Sequence, residues 1–426
     1  MPEAQHIWGF QPCQRIRCSC ACRWRCFRKS PEITVRGHAV SSMLGGFNIM
    51  VDILRRYDLM IPGPIAVDGE VLQQMASPVV AHYGPDWAAL FNDTVGLAKQ
   101  VFRTQNDLFI MPGSGHIGVE AALASLVAPG DEVIIVDNGL FGHRAVELAQ
   151  SNGACVRPIE VEWGDTVRPC QVEQAIAAYP GARVVVMVQS ETSTGLANPV
   201  KDVAAACREH DRIVMVDGVS SVGGMDIRID EWGIDVCVTA SQKCLEAPPG
   251  LALVSVSQKA FAHMRQREKP VMGWAMNLLK WKDCADQGRD VQPYYVTMPV
   301  NNVLALRKAL ERILAEGLEA RHERHQAVGQ AFRDGVRRLG LEPVGQDCQA
   351  SGTVGVFWVP EGHADRDVVS SIRDNYGIQV AGGLGRLAGQ TVRVGHMGTG
   401  ARMARIVPVL YALERWLEST GLRPRD

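Results

Sequence analysis

The sequence lacks a long apolar run: no uninterrupted apolar stretch reaches the roughly 18 residues that a membrane-spanning helix needs. It also lacks an excess of charge of either sign, because 44 lysines and arginines stand against 46 aspartates and glutamates. That balance argues against a nucleic-acid partner and against an anionic membrane surface. The chain does have 46% apolar residues in 426, enough for a large core and two or three domains. We therefore predict an enzyme that acts on small-molecule substrates and has no nucleic-acid or membrane partner.

The twelve cysteines fall into two groups. Seven are scattered between Cys155 and Cys348 without paired spacing, which predicts reduced thiols in the cytoplasm. The other five crowd into an arginine-rich stretch near the N-terminus: Cys13, Cys18, Cys20, Cys22 and Cys26. A zinc site and a mitochondrial presequence stay open for that stretch, although the zinc spacing is poor and so many cysteines are unusual in a presequence. We predict that residues 1–50 are a disordered extension.

From about residue 105 the pattern is strand, turn and helix, repeated. The predicted strands are short continuous runs of valine and isoleucine, which is typical of a sheet covered by helices on both faces. They lie at 107–111, 132–137, 182–189, 212–217, 236–241 and 251–257. We predict a mostly parallel α/β sheet in a large domain over residues 51–300. Residues 301–426 should form a small α+β domain with a closing helix from Arg402 to Leu417, and a ligand cleft is expected between the two domains.

A glycine-rich turn follows the first of these strands. Gly113-Ser114-Gly115-His116-Ile117-Gly118 matches G-x-G-x-x-G, and Asp137 ends the next strand. A nicotinamide dehydrogenase has this arrangement. However, small residues and a helix N-terminus suit any phosphate, because they let backbone N–H groups approach an anion. The turn predicts a phosphate ligand and leaves the identity of that ligand open.

Four other residues favour pyridoxal 5′-phosphate (PLP). A PLP site needs a lysine, a carboxylate for the pyridine nitrogen, an aromatic face for the ring and a cation for the substrate carboxylate. Lys243 follows a buried strand, and Asp217 ends another at the edge where open α/β sheets bind ligands. Phe141 lies in a turn after a third strand, and Arg393 lies within an apolar strand of the small domain.

At these residues the chain resembles the class V aminotransferases of the alanine/serine–glyoxylate aminotransferase group, which have PLP fold type I. The resemblance runs from about residue 58 to the C-terminus and implies a mostly parallel, seven-stranded type of sheet sandwiched by helices, plus a small C-terminal α+β domain. It rests on ordered segments: Pro62-Gly63-Pro64, Ser114-Gly115-His116, Glu191-Thr192-Ser193-Thr194-Gly195, Asp217-Gly218-Val219-Ser220-Ser221, Ser241-Gln242-Lys243 followed by Ala247-Pro248-Pro249-Gly250, Gly382-Gly383-Leu384-Gly385, and Arg393.

The resemblance also implies roles for individual residues. Lys243 is similar to the Schiff-base lysine that moves the proton, and Asp217 to the partner of the pyridine nitrogen. The implied cofactor contacts are Ser114, Gly115, His116, Phe141, Thr192, Val219 and Gln242, together with Asp217 and Lys243. Arg393 and Gly63 are the implied substrate-binding residues. Phe141 stands where many relatives have tryptophan, and Thr192 where several have serine.

Two further residues imply a homodimer with shared active sites, because Tyr294 and Thr297 resemble residues that reach the phosphate of the neighbouring subunit. No metal is expected. His322 and His325 stand in His-Glu-Arg-His on a charged helix, which is not the H-E-x-x-H spacing, and a solvated face is the expectation for them. Cys244 is expected to pack in the core, since it adjoins Lys243 and could not swing as a nucleophile.

The implied reaction is transamination between a small amino acid, alanine or serine, and glyoxylate or another small 2-oxo acid. (S)-Ureidoglycine–glyoxylate transfer is the main alternative, because GLEARHERH and LAGQTVRVGHMG also resemble that branch. Aminoethylphosphonate transfer is less favoured, and pyridoxamine–pyruvate transfer is disfavoured by Ser114, where an acidic residue would be expected. A nicotinamide dehydrogenase and a catalytically silent PLP-binding protein stay open outside this class.

Overall fold

The computed structural model describes residues 57–422, so the extension predicted over residues 1–50 lies outside the described residues. The strands are β1 Asp58–Leu59, β2 Asp107–Pro112, β3 Glu132–Asp137, β4 Cys155–Glu160, β5 Val184–Val188, β6 Ser190–Glu191, β7 Leu196–Ala197, β8 Ile213–Asp217, β9 Val236–Ala240, β10 Leu251–Val256, β11 Val354–Trp358, β12 Ile378–Gln379, β13 Ala381–Gly382 and β14 Thr391–Gly395.

The helices within 57–422 are α1 Gly69–Met75, α2 Pro85–Phe102, α3 Gly115–Leu126, α4 Leu140–Ser151, α5 Pro169–Ala178, α6 Val200–Glu209, α7 Ile229–Trp232, α8 Gln258–Arg265, α9 Leu278–Gln287, α10 Val300–Glu316, α11 Leu318–Arg338, α12 Asp365–Tyr376 and α13 Met403–Ser419. Short 3₁₀ turns lie at Asp347–Gln349, Gly385–Leu387 and Gly398–Gly400. None of these helices is long and apolar enough to span a bilayer.

The central sheet has seven strands in the order β2-β10-β9-β8-β5-β3-β4. Its strands run parallel except β10, which is antiparallel to both of its neighbours. The inner strands are fully buried runs such as VVVMV at Val184–Val188, as expected for a sheet with helices on both faces. The predicted α/β fold with a mostly parallel sheet is confirmed.

Strand β4 has no counterpart among the predicted strands. Its sequence CVRPIE contains a proline and an arginine, and five of its six residues are exposed or half-buried in the pattern of an edge strand. Because an edge strand pairs on one side only, it does not need the continuous apolar run that marked the inner strands.

A second apolar core lies in the C-terminal third of the chain. There β11, β14 and β13 form an antiparallel sheet, and helices α12 and α13 pack against it. Strand β1, at the start of the described residues, pairs in parallel with β12.

The predicted division into two domains at residue 300 stays a prediction. The predicted closing helix is present, and it begins at Met403, one residue after the predicted start at Arg402.

The expectation of a solvated face for His325 is wrong. Its side chain is fully buried, Nδ1 lies 2.7 Å from the carbonyl oxygen of Arg321, and Nε2 accepts a hydrogen bond from the backbone N–H of Gly398 at 2.8 Å. The side chain of His322 is also largely buried, at 12% exposure. Helix α11 buries this face because the Gly398–Gly400 turn packs over it, a contact between residues more than seventy positions apart.

Candidate functional site

The predicted site residues follow strands that end at one edge of the central sheet. Ser114 comes after β2, Phe141 after β3, Asp217 at the end of β8, and Lys243 after β9. These four strands point the same way, so their carboxyl ends meet along a single edge, where open α/β sheets bind ligands.

A cavity of about 170 Å³ opens at this edge. Eight of its lining residues are predicted site residues: Ser114, Gly115, His116, Phe141, Asp217, Val219, Gln242 and Lys243. The remaining lining residues come from helices α3 and α4: Val119, Arg144, Ala145 and Leu148. The structure therefore brings most of the predicted set into one concave site.

Lys243 enters this cavity from the turn after β9. Its ammonium donates a hydrogen bond to the carbonyl oxygen of Pro62, and Gly63 lies directly against its side chain, where a Cβ would come within 2.5 Å of Lys243 Cδ. The pKa of Lys243 is lowered to about 8, mainly by burial and to a smaller extent by the positive charge of Arg393, while Cys244 and Asp217 oppose the shift. The site therefore makes a neutral amine available near neutral pH.

Asp217 lines the same cavity, and its Oδ1 accepts a hydrogen bond from the backbone N–H of Val219 at 2.9 Å. Burial raises the pKa of Asp217 to about 6, while this hydrogen bond and the charge of Lys243 oppose the rise. A buried carboxylate with a raised pKa favours a cationic partner, because the partner offsets the cost of removing the charge from water.

The cavity has an aromatic and an aliphatic wall. Phe141 lies in the first turn of α4, and Val219 follows Asp217 after β8. The backbone N–H groups of Phe141 and Gly142 both donate to Glu191 Oε2 at 3.1 Å, and the N–H of Leu140 donates to Ser193 Oγ at 2.9 Å. These side chains satisfy donors that a helix N-terminus leaves free, which fixes the ring of Phe141 at the cavity.

The phosphate turn has open hydrogen-bonding groups. The side chain of Ser114 makes no capping bond at the start of α3, and the buried side-chain oxygen of Gln242 has no hydrogen-bond partner within the described residues. A Cβ at Gly115 would lie 2.6 Å from Val219 Cγ2, so only glycine fits between the helix start and the cavity wall. Together with a lysine, a carboxylate and two ring walls, this donor set fits PLP.

Arg393 lies on β14, close to this cavity but outside its lining. The residue is 8% exposed, and its Nε donates to the carbonyl oxygen of Gly382 at 2.8 Å. Burial lowers the pKa of Arg393 to about 10, with Glu191 and Asp365 opposing, so the guanidinium stays charged. Within residues 57–422, its two terminal nitrogens have no hydrogen-bond partner, which leaves a fork available for a carboxylate.

Three predicted cofactor contacts lie outside the cavity lining. Thr192 is buried, and its hydroxyl lies 2.6 Å from that of Ser220. Tyr294 is also buried, and its hydroxyl accepts from Trp87 Nε1 and donates to the carbonyl oxygen of His82. Thr297 is exposed. The in-trans role of Tyr294 stays a prediction, and of the two residues only Thr297 has a side chain that faces solvent in this chain.

Two residues with direct roles in the site geometry were not identified from the sequence. Arg144 lines the cavity from α4, one helical turn after Phe141, and this spacing of three residues is the signal that could have found it. Glu191 supports Phe141 from a segment fifty positions away. No local pattern connects those two residues, so only the folded chain shows the contact.

Cys244 is buried in the core, as the sequence predicted. Burial raises the pKa of its thiol to about 12.

Comparison with known proteins agrees with this geometry. The sequence model described as aminotransferase class-V matches residues 76–403. The L-aspartate–glyoxylate aminotransferase of Paracoccus denitrificans is 34% identical and covers 80% of this chain and 86% of its own. The alanine–glyoxylate aminotransferase of Drosophila melanogaster is 33% identical, covering 85% of this chain and 93% of its own. The crystal structure of the ureidoglycine–glyoxylate aminotransferase of Bacillus subtilis, 32% identical, superposes with a TM-score of 0.80 over 86% of this chain and 94% of that one.

Proposed function

The chain belongs to the class-V aminotransferases, and from this premise we propose that it uses PLP to exchange the amino group of a small amino acid with the oxo group of glyoxylate. The observation that carries this proposal is the convergence of Lys243 and Asp217 in one cavity, which the ring of Phe141 and the side chain of Val219 also line. When bound, PLP supplies an aldehyde that reacts with amines and a pyridine ring that accepts electron density from the substrate Cα.

The two titratable groups of the cavity suit this chemistry. Lys243, with a pKa of about 8, has a substantial neutral fraction near pH 7.5 and can accept a proton from the substrate Cα and return it to the cofactor. Asp217 would hold the pyridine nitrogen in its protonated, electron-withdrawing form, since the buried carboxylate is stabilised by a cation. Ser114, His116, Gln242 and the start of α3 would hold the phosphate.

Substrate recognition would rest on Arg393. Its free fork matches a carboxylate in two parallel hydrogen bonds, and this fixes the Cα–H bond relative to the cofactor ring. Glyoxylate has a single carboxylate and no side chain, so it needs no further partner. The three relatives compared above are all named for transfer to glyoxylate, which supports glyoxylate as the acceptor.

The amino donor is proposed to be alanine or serine. Apart from Lys243, the only arginine or lysine among the described residues that line the cavity is Arg144, and it lies beside His116 at the phosphate turn. A side-chain carboxylate of the donor would therefore lack a cation of its own. (S)-Ureidoglycine is the second candidate. It is favoured by the structural relative from Bacillus subtilis and by the GLEARHERH and LAGQTVRVGHMG segments.

A homodimer with shared sites is part of the proposal. Exposed apolar side chains lie around the segment that carries Thr297: Val79, Val80, Tyr83, Met272, Trp274 and Val291. These side chains belong to neighbouring segments, since the N–H of Gly84 donates to the carbonyl oxygen of Val291 and Tyr295 Oη donates to that of Trp274. An apolar patch of this kind suits a second copy of the chain.

We also propose a cytoplasmic location. This part of the proposal rests only on the scattered spacing of the seven cysteines from Cys155 to Cys348, which is typical of reduced thiols.

The decisive experiment is a donor panel. Purified protein with added PLP is assayed for glycine formation from glyoxylate with alanine, serine, (S)-ureidoglycine, aspartate and glutamate as donors. Turnover with alanine or serine is expected and should be abolished in Lys243→Ala, while the exposed Lys201→Ala control keeps it. Absence of turnover with every donor, or turnover that survives in Lys243→Ala, would refute the proposal.

A further inference from the structure

The cavity contains a cation, Arg144, to which neither the family resemblance nor the proposed function assigns a role. It lies on α4, one turn after Phe141, and lines the cavity from the same helix. Its Nη1 is 3.3 Å from Nε2 of His116, which lies in the first turn of α3. Its guanidinium carbon is 5.1 Å from the centroid of the Phe141 ring. The charge is therefore held between the aromatic wall and the phosphate turn.

Arg144 has no carboxylate partner within the described residues, whereas a similarly placed arginine elsewhere in the chain has one. Arg157 lies over the ring of Tyr179, with its guanidinium carbon 4.8 Å from the centroid, and it donates to Glu132 at 2.7 and 2.9 Å. Arg144 has the same kind of aromatic contact, but its other neighbour is the ring nitrogen of His116. The positive charge of Arg144 therefore has no anionic partner among the described residues, although Arg144 lines a cavity that is expected to bind a phosphate.

The expected phosphate contacts of this chain are all uncharged. Ser114, Gln242 and the backbone N–H groups of α3 are neutral, and burial lowers the pKa of His116, with Arg144 and Lys243 adding to the effect. A phosphate monoester carries about −1.5 to −2 charges at neutral pH. Hydrogen bonds from neutral groups leave most of that charge without a counter-charge, and arginine matches the phosphate oxygens with two parallel donors.

We propose that Arg144 binds the phosphate of the cofactor. Its guanidinium provides the positive charge for the dianion, and the neutral His116 ring and the Phe141 ring hold it at the phosphate turn. This inference rests on the proposed function, because it takes PLP as the occupant of the cavity. It predicts a contact that depends on the phosphate and not on the pyridine ring or the aldehyde.

The test compares two ligands that differ only in the phosphate. Full-length wild type, Arg144→Met and the control Arg157→Met are freed of cofactor and titrated with PLP and with pyridoxal, and the bound fraction is read from absorbance. Methionine keeps an unbranched stem over Phe141 and removes the charge. Arg144→Met should weaken PLP binding about ten- to a hundredfold, the range for a hydrogen-bonded charge, and leave pyridoxal binding within about twofold. Arg157→Met should change neither.

The outcomes separate this inference from the proposed function. If wild type binds PLP no better than pyridoxal, the proposed phosphate site itself fails. If wild type prefers PLP and Arg144→Met keeps that preference, Arg144 does not bind the phosphate and only the inference fails. An equal loss of PLP and pyridoxal affinity would show that Arg144 supports the fold of the cavity, which also overturns it. Arg144→Lys should recover part of the PLP preference, because lysine restores the charge without the fork.

Discussion

The carboxylate of Glu191 accepts the backbone N–H of Phe141 at 3.1 Å, so the segment after β5 holds the helix that carries the aromatic wall of the cavity. Glu191 is fully buried and accepts three further hydrogen bonds, from the N–H of Gly142 at 3.1 Å and from the N–H and hydroxyl of Ser193 at 3.0 and 2.6 Å. Burial raises the pKa of Glu191, and the donors from Ser193 and Gly142 counteract that rise. Four donors around two oxygens suit a carboxylate and not an amide.

Glu191→Gln should therefore destabilise the protein. A glutamine offers one acceptor oxygen, so one pair of donors would face an NH₂ group inside the core. We expect a loss of about 2–4 kcal/mol in the free energy of unfolding, measured by urea denaturation, together with weaker PLP binding. Glu162→Gln, at an exposed position, is the matched control and should stay within about 0.5 kcal/mol of wild type. Equal stability of the two variants would contradict the support role of Glu191.

Asp217→Asn should separate activity from stability. Turnover should fall by about two orders of magnitude or more, because a neutral amide cannot stabilise a protonated pyridine nitrogen. The cofactor-free variant should nevertheless be more stable than wild type at pH 8. The folded-state pKa of Asp217, about 6, lies above its ordinary value, so the stability it contributes is present at low pH and is lost as pH rises through about 6.

The expected stability gain of Asp217→Asn at pH 8 is about 1–3 kcal/mol, and it should shrink to about 0.5 kcal/mol or less near pH 4. At that pH the wild-type carboxyl is protonated in the folded state and partly protonated in the unfolded state. Thermal unfolding of both proteins at the two pH values measures it. Near-normal turnover in the variant would mean that Asp217 only accepts the turn N–H of Val219 and has no role in the reaction.

The covalent attachment of PLP should report the pKa of Lys243. Only the neutral amine reacts with the aldehyde, and burial lowers the pKa of Lys243 to about 8. The attachment rate, followed by stopped-flow absorbance, should rise about tenfold per pH unit below that value and level off above it. Borohydride reduction followed by peptide mapping should place the label on Lys243. An inflection near the ordinary lysine value, or a label on another lysine, would disprove the assignment.

Arg393→Lys should impair recognition of the donor carboxylate. Lysine keeps the charge and loses both the fork and the Nε bond to Gly382, so kcat/KM for alanine should fall by an amount equivalent to about 3–5 kcal/mol. Arg366 has a side chain that is 87% exposed, so Arg366→Lys is the control and should behave as wild type.

The wild-type protein should use alanine and serine in preference to aspartate and glutamate. A preference for aspartate, the donor named for the Paracoccus denitrificans relative, would refute the proposed monocarboxylic selectivity.

Hybrid dimers test whether Thr297 acts across the interface. Because Thr297 is exposed, Thr297→Asp should fold normally and repel a phosphate held by the partner subunit. Mixed with Lys243→Ala subunits, it should give dimers with one intact site, and activity should recover well above that of either parent. If Thr297 acts within its own subunit, or contacts no phosphate, mixing will restore nothing.

The sequence was sufficient to predict the order of the inner strands along the chain and the residues that follow them. Continuous valine and isoleucine runs mark a buried parallel sheet, and residues just after such strands must meet at its carboxyl edge, which is where Ser114, Phe141, Asp217 and Lys243 lie. For the same reason the sequence could not predict β4. An edge strand is not required to be apolar throughout, and it carries no comparable pattern.

Only the tertiary structure revealed the contacts that fix the cavity walls and place a positive charge beside the phosphate turn. Glu191 supports Phe141, Arg144 meets His116, and His325 is buried under the turn at Gly398, although each pair is separated by tens of residues. Periodicity and turn motifs describe a chain over a few positions, because they arise from local backbone geometry. The neighbours of a polar side chain depend instead on how distant elements pack. The same packing decides whether a helix face that is rich in charged residues is exposed to solvent or buried.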